Sequence, residues 1–115
     1  MAYKIHRAAQ AYTYEAPGHF GVITTRLCDA GECDGSKMIL GLSHFYPGGG
    51  CEYGANPLES IYYIVEGQMT LKTEDQETTL FAGDCFHCSG GTPKSIINNG
   101  CGVTKMLVAL LPPQA

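Results

Sequence analysis

Turn-forming residues break this chain so often that no stretch between them holds a helix of ordinary length. Pro17-Gly18, the run CDAGECDGS from Cys28 to Ser36, Pro47 to Gly50, Glu66-Gly67, EDQE from Glu74 to Glu77, Ala82-Gly83-Asp84, Ser89 to Pro93 and Asn98-Asn99-Gly100 punctuate it. The interval is about eight to twelve residues, the spacing of turns in an all-β sandwich or barrel. Between the breaks stand short runs rich in β-branched and aromatic residues, such as FGVITTRL (Phe20 to Leu27) and SIYYIV (Ser60 to Val65). Such residues suit a pleated, half-buried surface. No segment keeps a 3.6-residue period over three turns. The expectation is about eight to ten short strands closing on themselves.

Along the chain, Tyr3 to Tyr14 is open between a strand around Tyr12 and Tyr14 and a helical turn at Ala8 to Ala11. The run KMILGLSHFY, Lys37 to Tyr46, reads as a strand. Alternation places Met38, Leu40, Leu42, His44 and Tyr46 on one face, and that face is expected to meet the core. Gly48 to Asn56 is expected to be a flexible glycine-rich loop. Ser60–Val65 and Gln68–Thr73 are expected to pair as a hairpin across Glu66-Gly67, and Asn98-Asn99-Gly100 to make a primed turn. Val103 to Leu110 is the final strand, stopped by Pro112-Pro113.

A chain of 115 residues is expected to form one domain with a thin core, residues 1–115. The net charge of −4 and the scatter of Lys4, Arg7, Arg26, Lys37, Lys72, Lys94 and Lys105 exclude a basic nucleic-acid-binding face. No run has the length of a membrane span or the pattern of a signal peptide, so a cytoplasmic protein with no membrane partner is expected. The six cysteines then read as reduced thiols.

Two stretches carry most of the information. They are PGGGCEYGANPLESIYYIVEG, from Pro47 to Gly67, and GDCFHCSGGTPKSIIN, from Gly83 to Asn98. Together they resemble the two signature motifs of the cupins, and the GGG run, Pro-x-Glu step and YY strand resemble a group of small single-domain members. The resemblance spans about Met38 to Leu110, with residues 1–19 as an N-terminal arm. It implies a double-stranded β-helix, or jelly-roll barrel. It also implies a divalent metal held by three histidines and a glutamate, a donor set suited to iron, manganese, nickel or zinc.

This chain departs from that donor set. With Pro47-Gly48 and Gly67 aligned without gaps, Gly54 and Asn56 take the seats of two histidines, Ser60 that of the glutamate and Lys94 that of the third histidine. Glu59 lies one residue early, which in a strand means the opposite face. Glycine has no donor, and a lysine repels a cation, so the usual metal is not expected. A non-standard site would have to draw on His44, His87, Cys51 and Glu52.

The same resemblance implies that Ser60, Tyr62 and Ile64 point into the barrel from one strand, and Lys94, Ile96 and Asn98 from another. His44 and Tyr46 would line the mouth. A half-buried lysine there suits capture of a carboxylate or phosphate. The candidate ligand-binding residues are therefore Lys94, Tyr62, Ser60, Asn98, His44 and Tyr46. Cys85-Phe-His-Cys88 has the Cys-x-x-Cys spacing, but in a strand residues three apart face opposite sides, so the pair reads as packing. The Gly48-Gly49-Gly50 run lacks the lysine and helix that a phosphate loop requires.

The expected function is binding of a small anionic metabolite. The alternative is a metal-dependent isomerase, decarboxylase or dioxygenase acting on a small organic or sugar acid through a rearranged site. Apolar strands at Ile61-Tyr62-Tyr63 and Met106 to Leu111 suggest a homodimer.

Overall fold

A computed structural model describes residues 2–113. Nine strands follow a short 3-10 turn at Ala8–Gln10. They are β1 (Tyr12–Tyr14), β2 (His19–Cys28), β3 (Ile39–Gly54), β4 (Glu59–Glu66), β5 (Gln68–Lys72), β6 (Glu77–Phe81), β7 (Cys85–Cys88), β8 (Lys94–Ile97) and β9 (Thr104–Leu111). All pairings are antiparallel, and the order is β6-β5-β8-β3-β9-β4-β7, with β2 along β3 and β1 outside β2. The sheet rolls into a nearly closed jelly-roll barrel.

β3 makes the roll possible. Its first half, Ile39 to Phe45, pairs with β9, and its second half, Gly50 to Gly54, pairs with β8. The strand crosses from one half of the barrel to the other through Pro47-Gly48-Gly49. Gly48 supplies a left-handed φ of 84° at that bend. Asn98 locks it: Gly48 N donates to Asn98 O at 2.8 Å, and Asn98 N donates to Gly49 O at 2.8 Å. The glycine-rich stretch is thus strand as far as Gly54, not a flexible loop. Its glycines are needed for close approach. A Cβ at Gly50 would stand 2.1 Å from Ile96 O, and one at Gly49 2.1 Å from Gly21 O.

The core cluster is Phe45, Tyr62, Ile64, Met69, Leu71, Ile96 and Met106. It corrects the expected facing of β3. Gly41, Ser43 and Phe45 point inward, while Met38 and Tyr46 are exposed. Leu40 and Leu42 lie on the outer face, opposite Ala109 and Leu107 of β9. Apolar content misleads here because both faces of β3 are apolar. Of the inward residues Phe45 fills the core, Ser43 lines the cavity, and at Gly41 an added Cβ would stand 3.2 Å from Thr25 O.

Two expected hairpins are absent. β4 and β5 do not pair: β4 lies between β9 and β7, and β5 between β8 and β6. Gly67, at φ 90°, redirects the chain instead, held by Thr104, whose hydroxyl donates to Gln68 O at 2.7 Å and accepts from Gln68 N at 3.0 Å. At Asn98-Asn99-Gly100 no residue takes positive φ, so the link is not a primed turn. The Asn98 side chain closes it, donating to Phe45 O at 3.0 Å and Gly102 O at 2.9 Å and accepting from Gly100 N at 2.9 Å. Such non-local pairings cost loop-closure entropy that local turn chemistry does not reveal.

Candidate functional site

The barrel encloses a cavity of about 530 Å³, within the range of small-molecule sites. β8 supplies Lys94 and Ile96, β4 supplies Tyr62, and β9 supplies Met106 and Val108. β3 contributes Ser43 from its first half and Cys51 to Gly54 from its second. The N-terminal arm and β2 close one side with Tyr14, Pro17, Gly18, His19, Thr24 and Arg26.

Lys94 is the feature that stands out. Only 4% of its surface is exposed. Its Nζ lies 5.4 Å from the centroid of the Tyr62 ring, within cation–π range. Among the described residues no carboxylate pairs with it, and no acceptor takes a hydrogen bond from it. Lysine is almost never buried without a partner.

Its neighbours are neutral. Burial pushes the Tyr62 phenol well above its ordinary range, helped by Cys51 and Cys88 and opposed by a hydrogen bond from Ser60. Burial also raises the Cys51 thiol, against the pull of Lys94 and of a backbone hydrogen bond. The inner end of the cavity therefore holds one fixed cation among protonated groups.

The opposite wall is organised by Arg26. Its Cζ sits 4.5 Å over the Tyr14 ring, and Nη1 donates to Asp29 Oδ1 at 2.9 Å. Burial lowers its pKa, but hydrogen bonds with Tyr14 and Asp29 outweigh this, and the net shift is upward. The Tyr12 hydroxyl donates to Asp29 Oδ2 at 2.6 Å and, ahead of Arg26, holds that carboxyl below its usual range. Thr24 donates to Tyr14 O, which pins β1 to β2 at the cavity edge. Glu52 is the one carboxylate lining the cavity; its Oε2 lies beside Gly18, and no ion pair engages it among the described residues.

The expected site residues divide. Lys94 and Tyr62 line the cavity. Ser60 and Asn98 are buried but do not line it; Ser60 donates to Leu58 O at 3.3 Å, and Asn98 braces the β3 bend. His44 and Tyr46 do not line the mouth. They lie on the outer face of β3 because the strand's alternation runs opposite to the expected one. Arg26, Tyr14, Thr24 and Ser43 were not singled out by motif. For Thr24 and Arg26 the signal was their shared face on β2, two residues apart; Tyr14 and Ser43 had none.

The donor set does not fit the metal that the resemblance implies. Gly54 offers no side chain, Lys94 brings a positive charge, and Asn56 turns its Oδ1 to Leu58 N at 2.9 Å. The alternative ligands are not assembled either. Cys51 and Glu52 face the cavity, His44 faces outward, and His87 pairs with Glu59 at 2.6 Å on the exterior. Among the described residues no three of His, Cys, Asp and Glu come together to hold an ion. Cys88 is buried as a packing residue, but Cys85 is exposed, which corrects the reading of the pair as packing; the two lie on opposite faces of β7 as their spacing implied.

The cupin-domain family model matches residues 41–110. The chain is 33% identical over 114 residues to the protein named Beta-D-galactosidase Rv1717 of Mycobacterium tuberculosis (strain ATCC 25618 / H37Rv), covering 97% of each chain. Its fold is similar to that of the polyketide cyclase RemF from Streptomyces resistomycificus, with TM-score 0.77, 20% identity, and coverage of 98% of this chain and 81% of that one. It is also similar to a predicted oxalate decarboxylase from Thermotoga maritima, with TM-score 0.80, 18% identity, and coverage of 96% and 100%. At these identities the two structures speak for fold alone. With both signature motifs on a jelly-roll barrel and the family model spanning β3 to β9, the chain belongs to the cupin-domain family.

Proposed function

We propose that this protein binds a small anionic metabolite inside the barrel, with Lys94 as the anchor. The observation that carries this reading is the buried Lys94 side chain, which lines the cavity with no carboxylate or hydrogen-bond acceptor among the described residues to pair it, in the seat that the cupin resemblance gives to a metal ligand. The ammonium supplies the fixed positive charge, and a carboxylate or other oxyanion completes the pair. A charge-assisted hydrogen bond is stronger than a neutral one. Thermal-shift and calorimetric screening against small carboxylates and phosphates tests the reading. Stabilisation by an anion is expected in the native protein and its loss in Lys94→Met; equal binding by both proteins overturns it.

A second reading is hydrolysis of a β-galactoside, favoured by the 33% identity to the protein named for that activity. Glycoside hydrolysis ordinarily uses two carboxyl groups across the scissile bond. Here Glu52 is the one carboxylate lining the cavity, so the proton donor would come from a side chain other than a carboxyl, such as His19, Tyr62 or Lys94. Turnover of a nitrophenyl galactoside that disappears in Glu52→Gln supports this reading; absence of turnover removes it.

We further propose a homodimer in the cytoplasm, where the six cysteines, all free, remain reduced. The outward rows Leu42–Leu107–Tyr63 and Leu40–Ala109–Ile61 form an apolar face across β3, β9 and β4. A sheet with one face in water alternates polar with apolar, yet β9 is apolar throughout from Met106 to Leu111. Lys105 and Glu59 stand at opposite ends of this face, and a two-fold axis across it would bring them together. Among the described residues no helix is long and apolar enough to cross a membrane.

A further inference from the structure

We infer that Cys51 is a covalent-capture site for α,β-unsaturated ketones, its sulfur bonding the β-carbon while Lys94 holds the carbonyl oxygen. This rests on the reading of Lys94 as a partner for oxyanions and extends it to a reaction. Cys51 is the one cysteine lining the cavity. The β3–β8 pairing sets it opposite Ile96, two residues from Lys94 on the inward face of β8. Lys94 Nζ lies 5.4 Å from the Tyr62 ring centroid, and both Lys94 and Tyr62 couple electrostatically to the Cys51 thiol. Lys94 is 4% exposed and has no acceptor among the described residues. A nucleophilic atom and an unpaired buried cation therefore face one space.

Of the electrophiles that a thiol attacks, an unsaturated ketone fits this pair. A mixed disulfide or a sulfenic acid needs a second thiol to resolve it, and no other cysteine lines the cavity. Conjugate addition needs neither an oxidant nor a leaving group. The sulfur electron pair forms the S–C bond at the β-carbon, the C=C π pair moves to the carbonyl oxygen, and the thiol proton ends on the α-carbon. The enolate formed on the way is itself an oxyanion. A fixed ammonium at its oxygen acts where charge develops, and so lowers the barrier. Burial raises the pKa of Cys51 more than Lys94 lowers it, so the resting sulfur is a protonated thiol that resists oxidation. Acceleration must then come from the oxygen end, which is what Lys94 supplies. Ile96, Met106 and Val108 wall the same space, about 530 Å³, and suit an apolar tail on the ketone.

Peptide mass spectrometry after timed exposure to trans-3-octen-2-one or to iodoethane tests this. Both reagents draw on the same sulfur anion, but only the ketone offers an oxygen to Lys94. The exposed Cys85 and Cys101 serve as references within the same protein. In the native protein the octenone-to-iodoethane rate ratio at Cys51 is expected to exceed that at either reference roughly tenfold or more. Lys94→Met should bring the three ratios to parity, and Lys94→Arg should keep part of the excess. A Cys51 ratio no higher than the references overturns the inference. So does a Cys51 that neither reagent reaches, or an excess that survives in Lys94→Met. Calorimetry with phosphate and small carboxylates on the native and Lys94→Met proteins separates this from the reading beneath it. Anion binding that depends on Lys94, without octenone selectivity, overturns the inference alone; loss of both overturns both.

Discussion

Lys94 places its ammonium 5.4 Å from the centre of the Tyr62 ring, although β8 and β4, which carry the two side chains, are separated in the sheet by β3 and β9. The contact offsets only part of the cost of burial. A desolvated cation–π pair contributes about 2 kcal/mol. Removing an ammonium from water costs several kcal/mol even after relaxation. Without ligand, Lys94 is therefore expected to add nothing to the stability of the fold. Lys94→Met keeps the length and removes the charge. Urea unfolding should show it neutral or stabilised by up to about 4 kcal/mol relative to the native protein. A loss of more than about 1 kcal/mol would mean that the ammonium has an acceptor inside the protein.

The barrel should weaken in alkali. Cys51 and Tyr62 have folded pKa values raised above their ordinary 9.0 and 10.0, chiefly by burial. Between the ordinary and the raised value the folded state binds more protons than the unfolded one. Stability is then full below the ordinary value and falls as pH rises through the raised one. Thermal midpoints should hold from neutral pH to about pH 9 and decline beyond it. Tyr62→Phe should flatten the part of the decline that begins above pH 10.0. An unchanged slope in that variant would place the alkaline loss elsewhere.

Much of the fold was legible, and the failures have a common cause. The alternations Ser60-Tyr62-Ile64 and Lys94-Ile96-Asn98 bury the residues expected, because each strand has one face that tolerates water poorly. β3 failed because Leu40 and Leu42 are as apolar as anything inside, and no local signal shows that Gly41, packed close to Thr25 O, and the cavity-lining Ser43 take the interior. Glu66-Gly67 has hairpin chemistry, but the partners of β4 and β5 are distant in sequence, and Thr104 is the residue that decides the turn. Arg26 and Tyr14 enter the cavity through the β1–β2 pairing, which no local motif announces.

Glycines in one stretch should differ sharply in tolerance. At Gly50 an added Cβ meets the Ile96 carbonyl at 2.1 Å, backbone against backbone, across the β3–β8 pairing. At Gly54 nothing lies within 4 Å and φ is not positive. Gly50→Ala is expected to cost about 2 kcal/mol or more through forced separation of the strands. Gly54→Ala should be neutral or slightly stabilising, since it restricts the unfolded chain. Chemical denaturation of the two variants checks this, and equal effects would show that the β3–β8 contact is looser than described.

The outer face of β9 should decide the oligomeric state. Leu107 lies between Leu42 and Tyr63 at the middle of the apolar rows. Leu107→Asp puts a charge at the centre of the proposed contact, where burial without a partner costs several kcal/mol. Light scattering after gel filtration should report a dimer for the native protein and a monomer for the variant, with the strand content of both unchanged by circular dichroism. A native monomer at micromolar concentration, or a variant dimer, removes this face from consideration.

The last expectation concerns the scaffold itself. If the barrel retains cupin geometry, its four altered seats should accept the family's donors when these are restored together. Gly54→His, Asn56→His, Ser60→Glu and Lys94→His would supply three imidazoles and a carboxylate, a set competent for divalent ions. The exchange also removes the resident ammonium, whose repulsion opposes any cation. Each partial set should fall short, because a single imidazole beside Lys94 gains one donor and keeps the positive charge. Cobalt titration should therefore give visible absorption with one-to-one stoichiometry in the fourfold variant, and markedly weaker binding where Lys94 is kept. Equal cobalt affinity with and without Lys94 would show that this side chain does not hold the metal's position, and the alignment that seats it there would have to be abandoned.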